Sequence, residues 1–111
     1  MNIIWLGHGS FRIEIEDQIL LVDPWLTGNP MLDESHYDTA LNGATQILIT
    51  HGHFDHTQDL PMVAEKTGAP VAGMVELMGY FDAQGVKNTI GFNKGGTINC
   101  GQVAVTMVPA L

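Results

Sequence analysis

The segment QILITHGHFDHTQDL, residues 46–60, restricts the folds open to this chain more than any other stretch. It opens on an apolar run of the kind that forms a buried strand. It closes on Thr57, a residue suited to the N-cap of a helix running to about Lys66, with Pro61 tolerated in the first turn and Gly68 as its stop. Between strand and helix stand His51, His53, Asp55 and His56. Three imidazoles and a carboxylate crowded behind a strand are a costly way to build an ordinary loop.

The surrounding pattern places this segment inside a layered α/β fold. NIIWL, FRIEIE and QILLVD read as three strands, and the second alternates cleanly, with Phe11, Ile13 and Ile15 on one face and Arg12, Glu14 and Glu16 on the other. Residues 24–44 form a long loop with a short helical turn near Tyr37–Leu41. PVAGM reads as a strand. VELMGYFDAQG reads as a helix, with Val75, Leu77, Met78 and Phe81 at helical spacing and Gly85 ending it. NTIGF, GGTIN and QVAVTMVPAL give strand–turn–strand, the last still apolar at Leu111. The fold class is α/β in an α+β layered arrangement, one domain without internal repeats.

The 111 residues carry a formal charge of −8, from four basic and twelve acidic side chains. Such a surface repels a phosphate backbone and gains nothing from an anionic membrane, so neither nucleic acid nor membrane is an expected partner. No run reaches the roughly 18 apolar residues of a membrane span, and the N-terminus lacks a basic leader. The single cysteine, Cys100, excludes an internal disulfide and suits a reducing compartment, so the expected location is cytoplasmic. Cys100 itself reads as incidental.

The cluster spells H-x-H-x-D-H, the ligand chemistry of zinc, manganese, iron or nickel, with no thiolate nearby. His51 and His53, two apart at a strand end, can point the same way, whereas Asp55 and His56 diverge. One peptide can therefore offer His51 and His53 to one ion and Asp55 and His56 to another. Two ions about 3.5–4 Å apart form a known hydrolytic arrangement. Asp55 is also the candidate catalytic carboxylate, placed to orient an attacking water.

THGHFDH resembles the signature of the metallo-β-lactamase superfamily, a four-layered αββα fold with a dinuclear metal site. WLGHGSFRIE, LVDPWLTGNP, KTGAPV, GGTI and VTMVPA extend the resemblance over the whole chain to the UPF0173 metal-dependent hydrolases, related to UlaG-like lactonases. The resemblance implies an enzyme with two divalent ions, zinc first, that activates water against an ester, lactone, amide or phosphoester of a small-molecule substrate. It implies that Asp23, in VDPW, supports the site from outside the ligand set by accepting a hydrogen bond from a ligand imidazole. It places His8, in LGHGSF, at the end of the first strand, where it either approaches the site or satisfies a carbonyl in the glycine turn. His36 reads as solvated, and Trp5 and Trp25 as core and loop anchors.

Members of that family carry three more ligands downstream, and no histidine follows His56 here. Residues 1–111 are therefore expected to be a partial domain, the N-terminal half of an αββα sandwich lacking its C-terminal half, with two protein ligands per ion. Two other readings stay open. One is a non-catalytic metal-binding or interaction half-domain that pairs with another chain or with itself as a homo-oligomer. The other is an iron oxidoreductase of the same superfamily.

Overall fold

The computed structural model describes residues 1–110. Three antiparallel strands come first, β1 (Asn2–Gly7), β2 (Ser10–Ile15) and β3 (Gln18–Val22). Then β4 (Gln46–Leu48), β5 (Val71–Gly73) and β6 (Thr89–Gly91) join in parallel, giving the order β1-β2-β3-β4-β5-β6. Parallel neighbours need crossovers. These are supplied by α1 (Tyr37–Leu41), by α2 (Phe54–Thr57) with α3 (Leu60–Thr67), and by α4 (Val75–Ala83). Because β1 runs in the direction of β3, the carboxyl ends of β1, β3, β4 and β5 share one edge of the sheet. A separate hairpin, β7 (Thr97–Cys100) with β8 (Val103–Thr106), is tied toward the opposite edge, where the Gln102 N–H donates to Asp17 Oδ1 at 3.1 Å.

One face of the sheet is closed. Leu21, Ile47 and Val71, none exposed at all, pack with Leu60 and Val63 of α3 and Met78 and Phe81 of α4. The other face is covered only in part, where Cys100 of the β7–β8 hairpin lies 3.6 Å from Gln46 Oε1 and Leu20 is buried. Trp5, Phe11, Val22, Leu48, Ala72 and Ile90 lie in register straight across all six strands. Its ends stand in solvent, with Trp5 56% exposed and Ile90 37%. Trp5 is thus no core anchor. It sits at an exposed end of this row, and its indole N–H donates to the His8 carbonyl at 2.8 Å. Trp25 is half-buried and does anchor its loop, donating to Gln58 Oε1 at 3.3 Å.

The helix expected from Thr57 to Lys66 is two helices. α2 starts at Phe54 with His53 as N-cap, and α3 starts only after Asp59. Pro61 gives the reason: lacking an N–H, it cannot bond the Thr57 carbonyl, so the first helix cannot run through it. Thr57 sits at the end of α2 and its hydroxyl donates to the His53 carbonyl at 3.1 Å. The final strand, expected to run apolar to Leu111, ends at Thr106; Leu111 lies outside the described residues. Cys100 is buried, which pushes its thiol pKa up and fits a passive role.

The long 24–44 loop is held along its length. Asp59 turns back to accept the Leu26 and Thr27 N–H groups at 2.6 and 3.0 Å, and Tyr37 donates its hydroxyl to the Leu26 carbonyl at 2.8 Å. Arg12, 8% exposed, donates through Nη1 to the Ala40 and Asn42 carbonyls at 3.1 and 2.7 Å and through Nε to Glu14 at 3.0 Å. It thereby satisfies carbonyls that α1 leaves unpaired at its end. A lysine carries the charge but not the fork. Arg12→Lys is expected to cost about 1.5–3 kcal/mol in denaturant unfolding and to speed proteolytic cleavage within residues 31–42. Unchanged stability and cleavage would show that the clamp holds nothing.

Candidate metal centre

The shared strand edge collects residues from three distant parts of the chain. Asp23 follows β3 directly, 2% exposed, in the left-handed region at φ 47°, which aspartate tolerates better than most residues. Its Oδ1 accepts the Thr50 N–H at 2.8 Å. Its Oδ2 accepts the Thr50 hydroxyl at 2.5 Å and pairs with His56 Nδ1 at 2.8 Å. Asp23 thus fastens the end of β3 to the segment leaving β4 and fixes one imidazole.

Thr50 fixes a second. Its only hydroxyl proton goes to Asp23, so its oxygen must accept from His51 Nδ1, 2.8 Å away. In their neutral form both His51 and His56 therefore carry the proton on Nδ1 and present a bare Nε2. The His51 ring centroid lies 4.1 Å from that of His56 and 4.8 Å from that of His53, the latter edge-on. Among the described residues, no buried side-chain polar atom is left without a partner.

Asp55 faces the same space from the start of α2. Its Oδ2 lies 2.7 Å from His8 Nε2 and its Oδ1 3.8 Å from His56 Nε2. Burial pushes the Asp55 carboxyl up. The neighbouring His56 and His8 rings, which attract the carboxylate when protonated, and hydrogen bonds from its own backbone N–H and His8 outweigh it, leaving the pKa below the usual aspartate value. His8 stands between Gly7 and Gly9 at φ 53°, its ring edge-on to Trp25 with centroids 5.4 Å apart. A Cβ on Gly9 would lie 2.7 Å from His56 Cε1, so only glycine leaves room for that imidazole.

The structure therefore brings His51, His53, Asp55, His56, Asp23 and His8 to one edge. It leaves His36 exposed in a 3₁₀ turn at Glu34–His36, its Nδ1 3.5 Å from the Ser35 hydroxyl. Thr50 and Gly9 are the functional positions that reasoning on sequence alone passes over. Thr50 does have a local signal, a hydroxyl directly before His51. A cleft of about 620 Å³, lined by Ile4, Leu6, Arg12 and Met31 among others, includes none of the six clustered residues. Its size carries less than the convergence of donors, because it is a shallow groove beside an edge strand. No helix among the described residues is long and apolar enough to cross a membrane.

Residues 2–111 match the family model described as a beta-lactamase superfamily domain. The chain is 60% identical over 111 residues to a UPF0173 metal-dependent hydrolase of Roseobacter denitrificans, covering 100% of this chain and 48% of that protein. It spans about half the length of the curated relatives it matches. Among solved structures, it is similar to Igni18, a metallo hydrolase from the hyperthermophilic archaeon Ignicoccus hospitalis, with TM-score 0.72 and 26% identity over 87% of this chain and 41% of that one. It also shares its fold with the metallo-beta-lactamase SMB-1, with TM-score 0.72 and 19% identity over 93% of this chain and 48% of that one. The mixed α/β architecture is thus that of about half a metallo-β-lactamase fold.

Proposed function

Because the chain belongs to the beta-lactamase superfamily domain family, we propose that it is the metal-binding half of a metal-dependent hydrolase. One observation carries this reading. Three imidazoles and a carboxylate meet at one sheet edge, and two of the imidazoles have Nδ1 occupied so that Nε2 is free. That donor set fits a divalent ion of the zinc, manganese, iron or nickel type.

His51 and His53 would hold one zinc ion, and Asp55 and His56 a second. Bound there, the metal supplies Lewis acidity and a water ionised near neutral pH. The remaining work falls to this chain's own groups. Asp23 and Thr50 keep two imidazoles in the tautomer that leaves Nε2 bare. Asp55, ionised at neutral pH, accepts a hydrogen bond from the attacking water and aims it. The 24–44 loop, pinned by Asp59, Tyr37 and Arg12, presents Trp25 beside His8 without having to close. The substrate class is a small molecule with an ester, lactone, amide or phosphoester bond, and the setting is the cytoplasm.

The test is a Zn²⁺ titration of the chain against a chromogenic chelator, with the His51→Ala/His56→Ala double variant in parallel. Binding is expected in the parent chain and lost in the variant. Binding that survives the substitutions, or none in the parent, overturns the reading. For the reaction, the chain mixed with the C-terminal half of the Roseobacter relative is expected to hydrolyse a lactone or phosphodiester in a chelator-sensitive way. No hydrolysis across such a panel counts against the enzyme assignment.

A further inference from the structure

We propose that His8 is itself a metal ligand, completing with Asp55 and His56 a three-residue site built wholly from this chain; this rests on the metal-binding reading above. Asp55 and His56 alone give an ion two protein ligands, whereas catalytic zinc sites use three and leave the fourth position open. One ligand atom from each of His8, Asp55 and His56 lies within 4.8 Å of the others. Asp55 reaches the two rings with different oxygens, Oδ2 2.7 Å from His8 Nε2 and Oδ1 3.8 Å from His56 Nε2, on either side of the roughly 3.4 Å that separates two ligands of a tetrahedral ion with bonds near 2.1 Å. A rotation of the Asp55 carboxylate would bring one oxygen within reach of an ion held by both rings.

A rival trio, Asp23 with His51 and His56, is equally close. There Asp23 already accepts three hydrogen bonds at a buried position, one of them from His56 Nδ1. That trio is a brace between strands. The His8 trio faces solvent, with the His8 side chain 48% exposed and that of Asp55 24%.

The turn that carries His8 is shaped to deliver it. Gly7 has φ 104°, and a Cβ there would lie 2.6 Å from both Asn29 Oδ1 and Met31 Cβ. Gly9 has no room for a Cβ beside His56, and the His8 carbonyl is held by Trp5. A non-glycine residue kept in the left-handed region by such fixed surroundings is the kind of strain that collects at functional sites. To ligate through Nε2, His8 would carry its proton on Nδ1. Its hydrogen bond to Asp55 would then give way to one metal bond from each residue.

Isotope-labelled histidine NMR of the whole chain reads this directly. On adding stoichiometric Zn²⁺, the Nε2 resonances of both His8 and His56 are expected to move to metal-bound positions, with Nδ1 of His8 protonated. In parallel, His8→Asn, which tolerates the left-handed backbone, is expected to weaken Zn²⁺ binding by more than the roughly 10–100-fold that losing an outer partner costs. If His56 Nε2 responds while His8 Nε2 keeps its proton, His8 only steadies Asp55 and this inference falls alone. If no histidine nitrogen responds, the metal-binding reading falls and takes this one with it.

Discussion

Asp23→Asn is expected to lower Zn²⁺ affinity by about 10–100-fold, the usual consequence of removing the partner that orients a ligand. Asparagine keeps the shape and accepts φ 47°, so the backbone is not what changes. The carboxylate now takes three donated hydrogens, from the Thr50 N–H, the Thr50 hydroxyl and His56 Nδ1. An amide has one acceptor oxygen and an NH₂ that must face one of those donors. Either a donor is orphaned, at roughly 1–3 kcal/mol, or His56 moves its proton to Nε2 and blocks its own ligand atom. Melting of the metal-free chain should fall by about 4–8 °C for each kcal/mol lost. Asp23→Ala adds the penalty of a left-handed alanine, about 1–2 kcal/mol. Unchanged metal affinity in Asp23→Asn would show that Asp23 orients nothing.

Gly9→Ala is expected to lower metal affinity at least as far by a different route. Gly9 is not among the residues at positive φ, so the backbone accepts alanine and the effect is steric. The new methyl would sit 2.7 Å from His56 Cε1 and within about 3.6 Å of both ring nitrogens. His56 cannot swing aside without breaking its bond to Asp23. Overpacking of this sort costs about 1–3 kcal/mol, with far-UV circular dichroism unchanged. Since Gly9 and Asp23 both act through His56, the losses in the double variant should fall short of their sum. Simple additivity would sink the idea that they share one imidazole.

Much of this was legible in the sequence for identifiable reasons. The alternation of Phe11, Ile13 and Ile15 against Arg12 and Glu14 gives β2 and its faces, and the apolar run before His51 gives β4. The cluster was legible because its chemistry lies within one peptide. What stayed hidden depends on distance along the chain. Thr50 lies 27 residues from Asp23, and His8 meets Asp55 only because β1 and β4 end at the same edge. Period-two alternation assigns Trp5 to a face but says nothing of whether that face is covered. The helix start moved because a good capping residue, Thr57, competes with a proline four positions on, and the missing N–H wins.

The one-sided closure of the sheet bears on the order of assembly. Leu21, Ile47, Val71 and their helical partners all lie within residues 1–110, so the core of this layer draws on this stretch of chain alone. Meanwhile the ends of the row from Trp5 to Ile90 stand apolar in solvent, the kind of surface that invites association between nascent chains. In a relative twice this length, the interval between condensation of the first layer and arrival of the second would be the vulnerable moment of synthesis.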